Sequence, residues 1–298
     1  MKFCVFTDLH YDSIPDGERR VQELLEHCRK ENVDFIVELG DLCHPTKENQ
    51  CVMEQFRGVG ISCYFSLGNH NMDFCDKAVV LGFLGLDRGY YAVVRENVKF
   101  IFLDANDEVV VDGKPGPYIS LEQIEWLEQE LSDGGYYYVI CTHQSLANDY
   151  VTQTKIRGIV NRAQVREVLE RQKEKILFCI NGHEHGTGVK EIGGIYYYRL
   201  NSASYYWQNV REMYLYGEEI HKKYPYLKNL VLYREALHVI VEIDEKMNVN
   251  IRGMEGHYLT VGPEEIGMGN TWNGVSILPR TESLAIKCAD TAEPSVSV

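Results

Sequence analysis

Five short apolar runs in this chain each stop at a cluster of carboxylate, imidazole or amide side chains. Residues 2–7 lead into Asp8-Leu9-His10, and residues 34–39 into Gly40-Asp41-Leu42-Cys43-His44. Residues 62–67 lead into Gly68-Asn69-His70 and residues 136–141 into Thr142-His143-Gln144. The last run, 176–180, precedes Gly182-His183-Glu184-His185-Gly186. Apolar runs of this length, closed by glycine and polar residues, read as buried strands. Between the first two runs Val21, Leu24, Leu25 and Cys28 recur at helix spacing after Asp16-Gly17, and a second helix is predicted near 48–58. The order strand-loop-helix-strand-loop-helix-strand predicts an α/β fold. Its polar clusters gather at the C-terminal ends of the strands, the edge at which open α/β sheets build their sites.

Further along, residues 89–104 alternate in the manner of a hairpin rather than another strand-helix-strand unit. Ser120-Leu121-Glu122-Gln123 reads as a capping box, with the serine and glutamine side chains each meeting a free donor at the helix start. That helix runs through Ile124, Trp126, Leu127 and Leu131 to Gly134-Gly135. A helix around 161–171 precedes the fifth run, and strands are expected at 196–200, 237–243 and 247–254, the last two as a pair. Residues 1–255 therefore read as one domain. Residues 256–298 read as an irregular extension packed on it, with a frayed end after about Ala289.

Composition narrows the function. A formal charge of −14 argues against broad attraction to nucleic acid or an anionic membrane. The first apolar run is too short for a signal peptide, and no stretch reaches membrane-spanning length. The nine cysteines include no C-x-x-C pair, which predicts reduced, mostly buried thiols of a cytoplasmic protein rather than a zinc site or a disulfide framework.

Taken singly, each polar cluster has an ordinary explanation. Asp8 and His10 can cap a strand end, Gly40-Asp41 and Gly68-Asn69-His70 are turn chemistry, and His143 alone reads as a core histidine. Five such coincidences at successive strand ends are harder to explain than one site. Nitrogen and oxygen donors without thiolate suit Mn, Fe or Zn. Their number exceeds what one zinc takes and fits two ions sharing a carboxylate. Two ions about 3.5–4 Å apart clamp the oxygens of a phosphoryl group. Elsewhere, Tyr136-Tyr137-Tyr138 and Tyr196-Tyr197-Tyr198 read as strand packing, Tyr205-Tyr206-Trp207 as a candidate pocket wall, and residues 217–223 as a solvated charged face.

The order D-x-H, G-D, G-N-H, H and G-H-x-H resembles the calcineurin-like metallophosphoesterase superfamily, and within it the branch containing cyclic-nucleotide phosphodiesterases. The resemblance implies a four-layer α-β-β-α sandwich of two mixed sheets flanked by helices. It implies two divalent or mixed-valence ions, Mn, Fe or Zn, with Asp8, His10 and His185 on the first and Asn69, His143 and His183 on the second. Asp41 would bridge them, and a bridging hydroxide would attack a small phosphorylated substrate. His70 would sit beside the scissile phosphate without ligating metal, to stabilise the transition state or to protonate the leaving oxygen as general acid. His44, beside the bridging carboxylate, is a candidate for substrate binding. The family usually follows G-N-H with an acidic residue; here Asn71 stands there, and Asp73 is the candidate replacement. Loss of that partner would lower the pKa of His70. The arginine of the Ser/Thr protein phosphatases is missing from Gly40-Asp41-Leu42-Cys43-His44. A nuclease and a non-catalytic scaffold on the same fold are the alternatives.

Overall fold

Phe3, Cys4, Val5 and Phe6 are all buried, and the direction in which each points explains the layering of the chain. Side chains alternate across a strand, so a run that is apolar on both faces must be covered on both. Phe3 and Val5 face a second sheet, in a core shared with Phe35, Phe100, Val139 and Phe178. Cys4 and Phe6 face helices, against Val21, Leu24, Val52 and Phe56. The computed structural model describes residues 1–148, 151–272 and 274–288.

The first sheet has six strands in the order Leu284–Ile286, Val249–Arg252, Val239–Ile243, Lys2–Phe6, Phe35–Glu38 and Ser62–Phe65. The last three are parallel, and the other pairings are antiparallel. Helices Gly17–Glu31 and Gln50–Gly58 make the crossovers. The second sheet runs Gly188–Ile192, Ile195–Arg199, Ile176–Asn181, Tyr137–Thr142, Val98–Leu103, Tyr91–Arg95. Its four inner strands are parallel and both edge strands antiparallel. Its outer face packs on helices Leu121–Ser132 and Arg162–Glu170 through Ile101, Ile140, Leu127 and Val165. The result is the expected four-layer α-β-β-α sandwich of two mixed sheets. Between the sheets, Phe3 stacks on Phe35 at 4.7 Å and meets Phe100 edge-on at 5.2 Å. Burying each such ring contributes about 2–3 kcal/mol.

The expected hairpin of 89–104 forms, as does the pairing of Val239–Ile243 with Val249–Arg252. The capping box forms only in part. Ser120 Oγ accepts from the Gln123 amide at 3.2 Å, but the Gln123 side chain turns away from the helix. It accepts from Asp104 N and donates to Asp104 O, each at 2.8 Å, which fastens the helix to the end of strand Val98–Leu103. Helix Lys77–Leu84 and hairpin Asp107–Val111/Lys114–Tyr118 were not foreseen. Of the segment after 255, Thr271–Trp272 pairs with Val275–Ser276, and Leu284–Ile286 extends the first sheet. The expected frayed end lies outside the described residues. Among the described residues, no helix is long and apolar enough to cross a membrane.

Candidate metal centre and active site

All five polar clusters meet at one edge of the two sheets. Asp8 and His10 follow Lys2–Phe6, Asp41 follows Phe35–Glu38, Asn69 and His70 follow Ser62–Phe65, His143 follows Tyr137–Thr142, and His183 and His185 follow Ile176–Asn181. Nine non-glycine residues have positive φ among those described, and five of them are Asp8, His10, Asp41, His183 and His185. Left-handed backbone is costly for such residues, so the strained turns of this chain are concentrated where its candidate ligands converge. In Gly182-His183-Glu184-His185-Gly186 the two histidines, not the flanking glycines, take the left-handed backbone of the turn. Gly182 and Gly186 supply room instead. A Cβ on Gly182 would lie 2.0 Å from Thr7 Oγ1, and one on Gly186 would lie 2.5 Å from Val275 Cγ1.

Two close groups of donor atoms result: Asp8, His10 and His185, and Asp8, Asp41 and His143. In the first, His185 Nε2 lies 3.2 Å from Asp8 Oδ1 and 3.3 Å from His10 Nε2. In the second, His143 Nε2 lies 3.0 Å from Asp41 Oδ2 and 3.2 Å from Asn69 Oδ1. Asp8 belongs to both groups, and Asp41 Oδ2, of the second, lies 3.9 Å from His10 Nε2 of the first. Asn69 thus joins by contact. His183 is in neither close group; its ring packs edge-on against His143 at 5.1 Å.

The surroundings leave these atoms unsatisfied. Asp8 Oδ2 accepts from Thr7 Oγ1 and His183 N, and Asp41 Oδ1 accepts from His70 N. The other oxygens, Asp8 Oδ1 and Asp41 Oδ2, are buried and accept no hydrogen bond. His143 Nδ1–H donates to Leu39 O and His185 Nδ1–H to Tyr205 O, each at 2.8 Å. With Nδ1 so engaged, each ring turns its Nε2 toward the site, where the neutral form would present a lone pair to a metal. Acceptors facing acceptors in a buried space call for a cation, and this donor set fits two first-row ions.

The electrostatics agree. Burial would raise Asp8 and Asp41, yet the surrounding imidazoles hold both below the usual carboxylate range, His185 leading for Asp8 and His143 for Asp41. Burial would lower His143, but Asp41 and Asp8 push it up to about 10. The field of the two aspartates asks for positive charge. Burial, aided by the nearby Arg157, holds His183 well below its ordinary value.

Asn71 does not occupy the carboxylate role next to His70. It is buried, and its Oδ1 accepts from Gly68 N at 2.8 Å and Asp41 N at 3.2 Å while Nδ2 donates to Cys43 O at 2.9 Å. An amide both accepts and donates, so it ties the second and third loops together. Asp73 takes the other part, with Oδ2 2.8 Å from His70 Nδ1. The expected fall in the pKa of His70 is reversed: burial lowers it, but Asp73 and then Asp41 raise it above its ordinary value. His44 lies on the cavity wall away from both donor groups. Its Nδ1 is 2.8 Å from Asp12 Oδ2 and its Nε2 3.6 Å from Asp73 Oδ2, and these carboxylates push it up to about 10.

Sequence reasoning missed the clamp behind Asp8. Ser202 Oγ donates to Asp8 O and Ser204 Oγ to Leu9 O, while Ala203 N donates to Thr7 O. Arg20, fully buried, donates to Ala203 O, Glu235 O and Tyr233 O and pairs with Asp16. Nothing in a helical repeat distinguishes Arg20; only the run Asn201-Ser202-Ala203-Ser204 hinted at close backbone approach. Glu184 points into a separate buried network with Asn148 and Asn181.

A cavity of about 800 Å³ opens from the donor groups, with His10, His70, His183 and His185 among its walls. Tyr205, Tyr206 and Trp207, the expected wall, line it, as does His44.

Comparisons with known proteins bear on this arrangement. A dimetal phosphatase from Danio rerio has the same fold, with a TM-score of 0.62 and 14% identity over 97% of this chain and 99% of that one. GAP50, the anchor in the inner membrane complex of Plasmodium, gives 0.54 and 11% identity over 88% of this chain and 85% of its own. No curated protein sequence matches. The model of the calcineurin-like phosphoesterase family matches residues 1–187, a span that holds every candidate ligand. The chain belongs to the calcineurin-like phosphoesterase family.

Proposed function

We propose that this chain hydrolyses a small-molecule phosphoester, a phosphodiester in preference to a monoester, with a nucleotide or cyclic nucleotide as the favoured substrate. The observation that carries the reading is the pair of buried, unbonded oxygens Asp8 Oδ1 and Asp41 Oδ2 facing imidazole nitrogens beside the cavity. Asp8, His10 and His185 would hold one ion and Asn69, His143 and His183 the other, with Asp41 between them. Mn, Fe or Zn bound there supplies charge to clamp phosphoryl oxygens and to acidify a water.

The remaining chemistry belongs to the side chains. His70, half-exposed and lining the cavity, is held by Asp73 through its Nδ1. As water oxygen bonds to phosphorus and the phosphorus–oxygen bond to the alcohol breaks, protonated His70 would give its proton to the leaving oxygen. His44 would attract the anionic ester and steady Asp73. A cytoplasmic location, suggested by nine free cysteines, belongs to the same proposal.

Turnover of bis- and mono-para-nitrophenyl phosphate by metal-loaded protein tests the reading. Faster turnover of the diester supports it, and faster turnover of the monoester reverses the preference. Failure on both, with no bound metal, leaves the scaffold alternative.

A further inference from the structure

Besides its histidines, the cavity has an aromatic and apolar wall of Tyr206, Trp207, Tyr226, Leu230, Met268 and Trp272, all beyond the residues that match the family model. Two contacts bind this wall to the ligand loop. Strand Tyr205–Trp207 hangs from His185 through the Nδ1–H to Tyr205 O bond, with the two rings 4.9 Å apart. Hairpin Thr271–Trp272/Val275–Ser276 is joined to Thr187, whose N–H donates to Ser276 O at 2.8 Å, and it fits against Gly186 without room for a side chain. The wall is thus fixed relative to the candidate ligands, as a specificity surface must be.

Its chemistry is aromatic. Trp207 packs on Tyr226 at 5.6 Å and Tyr206 on Trp272 at 6.4 Å. Polar groups of the adjoining loop serve the loop itself. Gln208 accepts from Val210 N and Arg211 N and donates to Arg211 O, while the Trp207 indole N–H donates to Asn209 Oδ1. Such a wall offers mainly ring faces and edges, with the Tyr206 and Tyr226 hydroxyls, Thr271 and Arg157 as the polar groups beside them.

We propose that strand Tyr205–Trp207 and the paired strands Thr271–Trp272 and Val275–Ser276 form a chamber for a planar aromatic group of the substrate, so that this ring, rather than a sugar, selects the phosphoester. The inference rests on the phosphoesterase reading, which places the scissile phosphate beside the histidines.

Benzyl phosphate and cyclohexylmethyl phosphate, with their methyl diesters, test it, because their leaving alcohols are of similar size and acidity and differ in planarity and π character. The expected result is a kcat/KM about five-fold or more in favour of benzyl, in line with the strength of ring packing. Trp207→Ala, at an exposed position, and Trp272→Ala should each bring that ratio toward one. A ratio near one in the wild type, or one unmoved by both variants, overturns the chamber. Binding of benzylphosphonate, followed by tryptophan fluorescence, separates the two readings. If no ester turns over, benzylphosphonate binding that Trp207→Ala weakens sustains the chamber while the hydrolase reading fails, and absence of binding overturns the chamber.

Discussion

His70 Nδ1 and Asp73 Oδ2 lie 2.8 Å apart across one 3₁₀ turn, forming the imidazole-carboxylate pair that the position after Gly68-Asn69-His70 does not provide. Asp73 also faces His44, which Asp12 and Asp73 keep protonated well above neutral pH. The pair orients His70 and favours its charged form, so its effect should depend on how much the leaving group needs a proton. Asp73→Asn should slow an alkyl ester about 10- to 100-fold and a para-nitrophenyl ester much less. Rates across a series of leaving groups check this. Equal losses on both would remove the pair from proton delivery.

Asn71 invites the wrong repair. Replacing it with the family's acidic residue would keep the acceptor for Gly68 N and Asp41 N but lose the donor to Cys43 O, leaving a carboxylate against a carbonyl. Asn71→Asp should therefore cost about 1–3 kcal/mol of stability and lower metal occupancy rather than improve catalysis. Chemical denaturation and elemental analysis of the variant measure both.

Arg20 holds the Asp8 loop from behind, through carbonyls of Ala203, Tyr233 and Glu235. Arg20→Met would strand these buried acceptors and the partner Asp16. A loss of about 3–5 kcal/mol is expected, visible as a lower denaturation midpoint although Arg20 touches no candidate ligand.

His238 links stability to pH. Burial holds it at about 4, its Nδ1–H donates to Ala236 O, and its ring packs on His27. A histidine kept neutral in the fold favours folding in full above its unfolded pKa of about 6.5. That contribution declines as pH falls toward 4, by up to about 3 kcal/mol in total. Urea denaturation between pH 7 and 4 should show the decline, and His238→Gln should flatten it.

How much of this was legible in the sequence follows from the range of the interactions. Strands ending at Asp8, Asp41, His70, His143 and His183 are local patterns, and ligand type is written in the residues themselves, so the α/β order and the candidate donors could be read directly, while the four-layer sandwich followed from the family resemblance. The roles of Asn71 and Asp73 depend on how one short turn folds. The Gln123 to Asp104 bonds, the Arg20 clamp and the aromatic chamber join residues 19 to more than 180 positions apart, and no periodicity encodes such a pairing. Helix Lys77–Leu84 escaped because its apolar residues nearly encircle it and show no helical stripe.

Metal content and catalysis measured together in wild type and Asp41→Asn test the central claim most directly. The site described here predicts two first-row ions per chain by elemental analysis and phosphoester turnover in the wild type, with both falling sharply in the folded variant. A wild type that binds no metal, or an Asp41→Asn protein that keeps both ions and full turnover, would contradict it.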